Sequence, residues 1–325
     1  MKFSRRQFLR LAAFAAALPI GNRLANAQAY PARPVRIIVP VAAGGATDIL
    51  GRLLAQWLSD RMGQPFVVEN RPGAGGNIGT EMALRAAPDG YTLLLIQAGN
   101  VINTSLYNNL SFNFPRDAAP VVVISRPPFM MSVHPSVPAK TIPEFIAHVS
   151  ANPGKVNMAS AGIGTGNHVA GELFKMQTGV QMVHVPYRGG GPALIDLVAG
   201  QVQVMFGGMP SMIQYVRAGT LRPLGVTTRA RSDVLPDLPT VGEFVPGYEA
   251  SDFYGLAAPK DTPPEIVARL NQETNAWLND PAIKARLADL GGMITGGTPE
   301  AAARLIIDET EKWAKVIKFA GAKAE

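Results

Sequence analysis

The chain repeats one local pattern: a short β-branched apolar run, a loop, and then apolar residues at helical spacing. Residues 35–41 form the first run, and Ile49, Leu50, Leu53, Leu54, Trp57 and Leu58 follow on one helix face. Strand 66–69, helix 78–85 and strand 91–96 complete a first series. A second series reads as strand 156–160, helix 167–177, strand 182–186, helix 192–199, strand 202–207, helix 211–217 and strand 221–227. Such alternation predicts an α/β fold with parallel sheets and right-handed crossovers.

From about Pro263 onward the pattern holds three helices and no clear strand. Their apolar positions, such as Ile266, Leu270 and Trp277, read as faces packed on an existing sheet. Thr141-Ile142-Pro143-Glu144 and Thr262-Pro263-Pro264-Glu265 have the form of capping boxes with proline in the first turn, and Thr298-Pro299 repeats the start signal. Met130, Met131 and Met205 fall within β runs and are expected to fill core.

The two series imply two lobes. Lobe 1 is expected to comprise 28–124 plus 253–325, and lobe 2 residues 125–252. A proline-rich stretch at 116–138 and a β-rich run at 252–258 would join them. Both fit a hinge, where a few residues absorb a rotation, and both fit plain edge strands.

Residues 1–27 are set apart as an export signal. A basic start leads into an Ala-rich apolar run too short to span a bilayer, which needs about 20 residues, and Ala25-Asn26-Ala27 fits a cleavage site. Ser4-Arg5-Arg6-Gln7-Phe8-Leu9-Arg10 carries the paired arginines of a twin-Arg signal. The periplasm is therefore the expected compartment, with cleavage near Ala27. Lys2, Arg5, Arg6, Arg10 and Arg23 lie in this segment with no acid, so removing it takes the net charge from +6 to +1. A nearly neutral chain gives no electrostatic case for nucleic acid or an anionic membrane. There is no cysteine, which excludes disulfides, thiolate metal sites and a lipidated cysteine.

Four glycine-rich loops sit between a strand and a helix: 42–48, 72–77, 161–167 and 187–191. At the carboxyl ends of parallel strands they stand where ligands bind. Each exposes unpaired N–H groups of a helix start, which with the helix dipole favour an anion. Any one of them also reads as a tight turn. No GxxxxGK[ST] or G-x-G-x-x-G is present, which disfavours a nucleotide, and HExxH and GxSxG are absent too. Of His134, His148, His168 and His184, only His168 follows a glycine-rich loop directly. Asp48, in the first turn of its helix, reads as a loop brace more readily than as a general base. No metal or organic cofactor is indicated.

At these loops the chain resembles the Bug family, the extracytoplasmic receptors of tripartite tricarboxylate transporters. The match is carried by Pro40-Val41-Ala42-Ala43-Gly44-Gly45-Ala46-Thr47-Asp48 and by Glu69-Asn70-Arg71-Pro72-Gly73-Ala74-Gly75-Gly76-Asn77. Pro88-Asp89-Gly90-Tyr91, Pro186-Tyr187-Arg188-Gly189 and Asp237-Leu238-Pro239-Thr240 add to it. The resemblance implies a type II periplasmic-binding fold, closing on a di- or tricarboxylate, an acidic amino acid or an aromatic acid. It implies a monomeric receptor that delivers its ligand to a membrane permease, or docks on a membrane sensor, and has no catalysis of its own; a periplasmic enzyme using His168 and Asp48 is the competing class. Carried over residue by residue, one side of the ligand site would be Ala43, Gly44, Thr47, Asp48, Gly76 and Asn77. The other would be Gly162, Thr165, Gly166, Asn167 and His168, with Tyr187, Arg188 and Gly189 beside them. Val41 stands where the family often has an aromatic residue, and Phe253 where it often has Trp.

Overall fold

A computed structural model describes residues 30–44, 46–187, 189–289 and 293–324. The expected export signal and Arg188 lie outside these residues. The first βα series forms β1 (Val35–Val39), α1 (Ala46–Met62), β2 (Phe66–Asn70), α2 (Asn77–Leu84), β3 (Thr92–Gln97) and α3 (Ala98–Leu106). A short helix α4 (Phe114–Asp117) leads into β4 (Ala118–Ser125). The second series runs β5 (Phe129–Val133), α5 (Ile142–Ala151), β6 (Asn157–Ser160), α6 (Gly166–Thr178), β7 (Val183–Pro186) and α7 (Gly190–Val198). It continues with β8 (Val204–Gly208), α8 (Met209–Arg217) and β9 (Arg222–Val226). The chain then returns through β10 (Tyr254–Pro259) to α9 (Pro264–Asn279), α10 (Pro281–Asp289) and α11 (Pro299–Ala320).

Two five-stranded sheets result, ordered β2-β1-β3-β10-β4 and β7-β6-β8-β5-β9. Both are mixed, which corrects the expectation of parallel sheets. β1 pairs parallel with β2 and β3, and β6 with β7 and β8. β10, however, runs antiparallel to β3 and β4, and β5 antiparallel to β8 and β9. The reason lies in the crossings. β5 and β10 are the strands by which the chain enters each lobe from the other, so each arrives against the direction of the βα units. Of the segments read as hinge or edge strands, 116–138 holds β4 at the edge of the first sheet and β5 inside the second, while 252–258 holds the interior strand β10; the crossing is confined to the residues beside them. There the two passages pair, through a bridge between Pro128 and Ser251 and the Asp252 N–H on Pro127 O at 3.1 Å.

The cores follow the helical periodicity. Leu54 and Leu58 on α1 and Trp277 on α9, all fully buried, cover one face of the first sheet. Met130, Met205, Leu194 and Leu197 form a core on one face of the second, and Met131 is buried too. A third cluster runs through both lobes, from Val101 and Ile102 on α3 to Val169 and Phe174 on α6. Ile306, Trp313 and Ile317, spaced for one face of α11, join it. α11 therefore packs on β4 and α3 of one lobe and on α6 of the other.

Candidate functional site

The carboxyl ends of β1, β2 and β3 face those of β6, β7 and β8 across a cavity of about 430 Å³. From the first lobe its wall takes Val41, Gly75, Gln97, Gly99 and Asn103. The second lobe gives Ala161, Ile163, Gly164, Thr165, Gly166, Asn167, Gly189 and Gly208, and the crossing passages give Phe129 and Asp252. A cavity of about 550 Å³ by Arg33 and Asp89 adjoins the amino end of β1, where no helix start converges.

Asp48 braces the first loop from within. Its carboxylate accepts the Gly44 N–H at 2.9 Å, Asn70 Nδ2 at 2.9 Å and Arg52 Nε at 3.1 Å. Asn70 also reaches Val41 O at 3.1 Å, tying the loop to β2. Burial alone would raise the Asp48 pKa, but the bonds from Arg52, Gly44 and Asn70 outweigh it and hold the carboxyl below its usual range. Asp48 is buried and absent from the cavity wall, as are the exposed Ala43 and Gly44. Thr47 sits behind the wall as well. Its hydroxyl donates to Gln97 Oε1 at 2.8 Å, which leaves the amide N–H₂ as the group Gln97 can offer a ligand.

The second loop needs glycine. Ala74, Gly75 and Gly76 all have positive φ, and a Cβ on Gly76 would lie 3.1 Å from Pro40 O. Asn103, from α3, stitches this loop down by donating to Gly75 O at 3.0 Å and Asn77 Oδ1 at 2.8 Å. Asn77 Nδ2 is then left buried with no partner among the described residues. A buried donor in that state costs about 1–3 kcal/mol unless something accepts from it.

In the third loop, Thr165 Oγ1 lies 2.6 Å from Gly162 O and 2.5 Å from Asn167 Oδ1. Thr165 occupies the N-cap position of α6, yet its side chain caps nothing. The same holds at the starts of α2, α7 and α8, where the N-cap is Gly76, Gly189 and Gly208. Away from the cavity Thr141 caps α5 and Thr298 caps α11 through their hydroxyls, whereas α9 starts after Pro263 with no side-chain cap, Thr262 donating to Pro259 O instead of forming the expected capping box. These four helix starts therefore keep their N–H groups for something else.

His168 is buried behind this loop rather than on the wall. Its Nδ1 accepts the Gly164 N–H at 3.2 Å, and its ring stacks on His184 at 3.9 Å between centroids. His184 Nε2 lies 2.6 Å from Ser160 Oγ. Burial pushes the His168 pKa down to about 3, helped by His184 and Lys175, and that of His184 down to about 4. Both rings are neutral near pH 7 and act as struts. Tyr187 points its hydroxyl to Asp196 Oδ2 at 2.6 Å, and its pKa rises to about 12 through burial and that bond.

Of the residues named from the sequence, Thr165, Gly166, Asn167 and Gly189 meet at the wall. Ala43, Gly44, Thr47, Asp48, Gly76, Asn77, Gly162, His168 and Tyr187 stand outside it. Gln97, Asn103, Phe129, Gly208 and Asp252 are among the wall residues that the sequence did not single out. The carboxyl ends of β3 and β8 carried a signal for Gln97 and Gly208, since any strand in a series of this kind ends at the same edge. No cluster of three or more His, Cys, Asp or Glu able to hold a metal occurs among the described residues.

Two α/β lobes with a loop-lined cavity between them define a solute-binding receptor of the type II periplasmic class. The comparisons agree: residues 50–322 match the tripartite tricarboxylate transporter family receptor, and the chain belongs to that family of solute-binding receptors. Protein BugT of Bordetella pertussis is 37% identical over 301 residues, covering 92% of both chains. The structure of Rpa4515 from R. palustris with adipate is 36% identical with a TM-score of 0.80, covering 90% of this chain and 99% of that one. MatC from Rhodopseudomonas palustris with bound malate is 32% identical with a TM-score of 0.77, covering 89% of this chain and 100% of the other.

Proposed function

We propose that this protein captures a small carboxylate between its lobes in the periplasm and delivers it to a tripartite tricarboxylate-type permease. The observation that carries this reading is the set of helix starts at the cavity left without side-chain caps, all offering N–H groups and positive dipole ends. One exposed start is worth about 0.3–1 kcal/mol to an anion. Several converging on one carboxylate, with charge-assisted hydrogen bonds, approach the roughly 8 kcal/mol of micromolar binding. The relatives whose structures hold adipate and malate support the ligand class.

In this reading Thr165, Gly166, Asn167 and Gly189 join Gln97 and Asn103 in touching the ligand, while Thr47, Asp48, Gly76, Asn77, Gly162 and His168 hold the loops in shape. Residues 28–124 with 253–325 act as one rigid lobe and 125–252 as the other. Residues 1–27 direct export through the twin-Arg route and are removed. No helix among the described residues is long and apolar enough to cross a membrane. The ligand acts by binding the closed state better than the open one.

A thermal-shift panel of di- and tricarboxylates, acidic amino acids and aromatic acids tests this on protein unfolded and refolded to strip bound ligand. A ligand at 1,000 times its Kd adds about 4 kcal/mol of stability. One saturable response, weakened by Thr165→Ala and Asp48→Ala, is expected. A response equal in both variants defeats the site; a flat panel defeats the ligand class.

A further inference from the structure

Asp252 is the one titratable residue among the described residues of the cavity wall. It lies on the returning passage, just before β10, and is half-buried. Its Oδ1 accepts the Phe253 N–H at 2.9 Å and the Ala98 N–H, at the start of α3, at 3.3 Å. Its Oδ2 accepts the Tyr254 hydroxyl at 3.2 Å. A carboxylate has about four acceptor directions, so these bonds leave one on Oδ2. The start of α3 is thus already served by a fixed anion, unlike the starts of α2, α6, α7 and α8.

We propose that Asp252 receives a ligand ammonium, so that this receptor takes a zwitterion, a carboxylate with an amino group a few bonds away, in preference to a dicarboxylate. This rests on the reading of the chain as a carboxylate receptor and narrows its ligand. The uncapped starts of α2, α6, α7 and α8 serve the ligand's carboxylate. A second carboxylate brought to Asp252 meets like charge in a partly desolvated place, whereas an ammonium gains both charge and a hydrogen bond.

The surroundings of Asp252 reinforce this sign. Glu309, from α11, adds negative potential; its own partners are Arg126 at 3.1 Å and Lys312. Arg126 is further engaged by Glu249 at 3.5 Å and Ser251 Oγ at 3.2 Å. Tyr254 contributes a neutral hydroxyl, its pKa held well above the usual value by burial and by Asp252. Burial raises the Asp252 pKa to about 6, with Glu309 adding to it and the bonds from Phe253, Ala98 and Tyr254 opposing it. An ammonium draws the ionised form back, so zwitterion binding strengthens as pH rises through this value. Dicarboxylate binding changes the opposite way.

Calorimetric titration with three matched pairs tests the proposal: aspartate and succinate, glutamate and glutarate, phenylalanine and 3-phenylpropanoate. At pH 7.5 the amino acid of the best-bound pair is expected to bind about tenfold tighter or more. Asp252→Asn keeps the acceptor for Ala98 and Phe253 and is expected to bring that ratio near one. If this variant fails to fold, the native protein decides: the ratio should fall between pH 8 and pH 5. Deamino acids that bind as tightly as their partners, with no change in Asp252→Asn or with pH, overturn the proposal and leave the carboxylate receptor standing. No binding by any of the six overturns both.

Discussion

A Cβ built on Gly164 would lie 2.1 Å from Leu106 Cδ2, and the two residues belong to different lobes. Asn103 Oδ1 is 3.7 Å from the same point. The third glycine-rich loop therefore touches α3 directly, and glycine is what permits the approach. Gly164 also has φ of +78°, where a side chain is strained by about 1–2 kcal/mol. That strain is local to the loop, whereas the collision arises only where the loop and α3 come this close. Gly164→Ala is expected to reduce ligand affinity about tenfold through the closed state. Leu106→Ala, made in addition, removes the colliding methyl groups and should restore much of that affinity. It also removes a buried side chain, so unfolding midpoints should drop, by about 2–5 kcal/mol of stability. Calorimetry and denaturant unfolding separate the two effects.

Asn77→Asp changes one buried donor into an acceptor and adds negative charge at a helix start. Asn77 Oδ1 keeps its bond from Asn103, so the second loop should hold its shape. The helix dipole favours the new carboxylate by up to about 1 kcal/mol, but its second oxygen is buried with no donor among the described residues, so thermal stability should fall. Carboxylate affinity should also fall, about tenfold or more, because the donor at the loop becomes a repelling charge. Unchanged affinity in a stable variant would remove Asn77 from the ligand's surroundings.

The βα periodicity made the elements, the two series and the glycine-rich loops legible, because a 3.6-residue apolar face must be buried wherever it occurs. What it hid was strand direction. β5 and β10 look like any other apolar run, and only the long-range crossing of the chain makes them antiparallel. The cavity wall was legible where backbone chemistry sets it, at Thr165, Gly166, Asn167 and Gly189. It was obscured where a side chain's role depends on distant partners. Thr47 reads as a ligand contact until Gln97, fifty residues on, is seen to take its hydroxyl. His168 reads likewise until His184 and Gly164 are seen around it. Asp252 carried no local signal, since its position comes from the pairing of the two crossing passages.

The stacked histidines predict an acid-sensitive fold. Their folded pKa values, about 3 for His168 and about 4 for His184, lie below the ordinary histidine value of 6.5. The unfolded chain therefore binds more protons between those limits, and stability falls as pH drops below about 6.5 toward the folded values. Each histidine contributes a slope of about 1.4 kcal/mol per pH unit in the middle of that window. Asp48 acts lower down: its stability is present above about pH 4 and is lost as pH falls through its depressed folded pKa. Chemical unfolding at pH 7, 6 and 5 should show the histidine slope, and His184→Gln should flatten it by about half. A native curve flat from pH 7 to pH 5 contradicts neutral burial of the pair.

Arg126 ties the crossing to both lobes. It stands between β4 and β5, holds Glu309 of α11 at 3.1 Å, and meets Glu249 and Ser251 on the returning passage. Glu309 is almost fully buried, whereas Arg126 keeps a quarter of its side chain exposed. Removing the arginine leaves Glu309 to Lys312 alone, at 2.7 Å, in a place already made negative by Glu249 and Asp252. Full breakage of a buried pair costs about 3–5 kcal/mol, and the remaining lysine and partial exposure reduce that, so Arg126→Ala should cost about 1–3 kcal/mol. Arg126→Lys keeps the charge but cannot serve Ser251 and Glu309 together with one planar fork, and should lose less. Because the same change leaves more uncompensated negative charge around Asp252, its carboxyl should titrate still higher. Unfolding midpoints for both variants, read beside the pH at which Asp252 titrates, would show whether the network acts on the fold alone or also on the charge at the cavity wall.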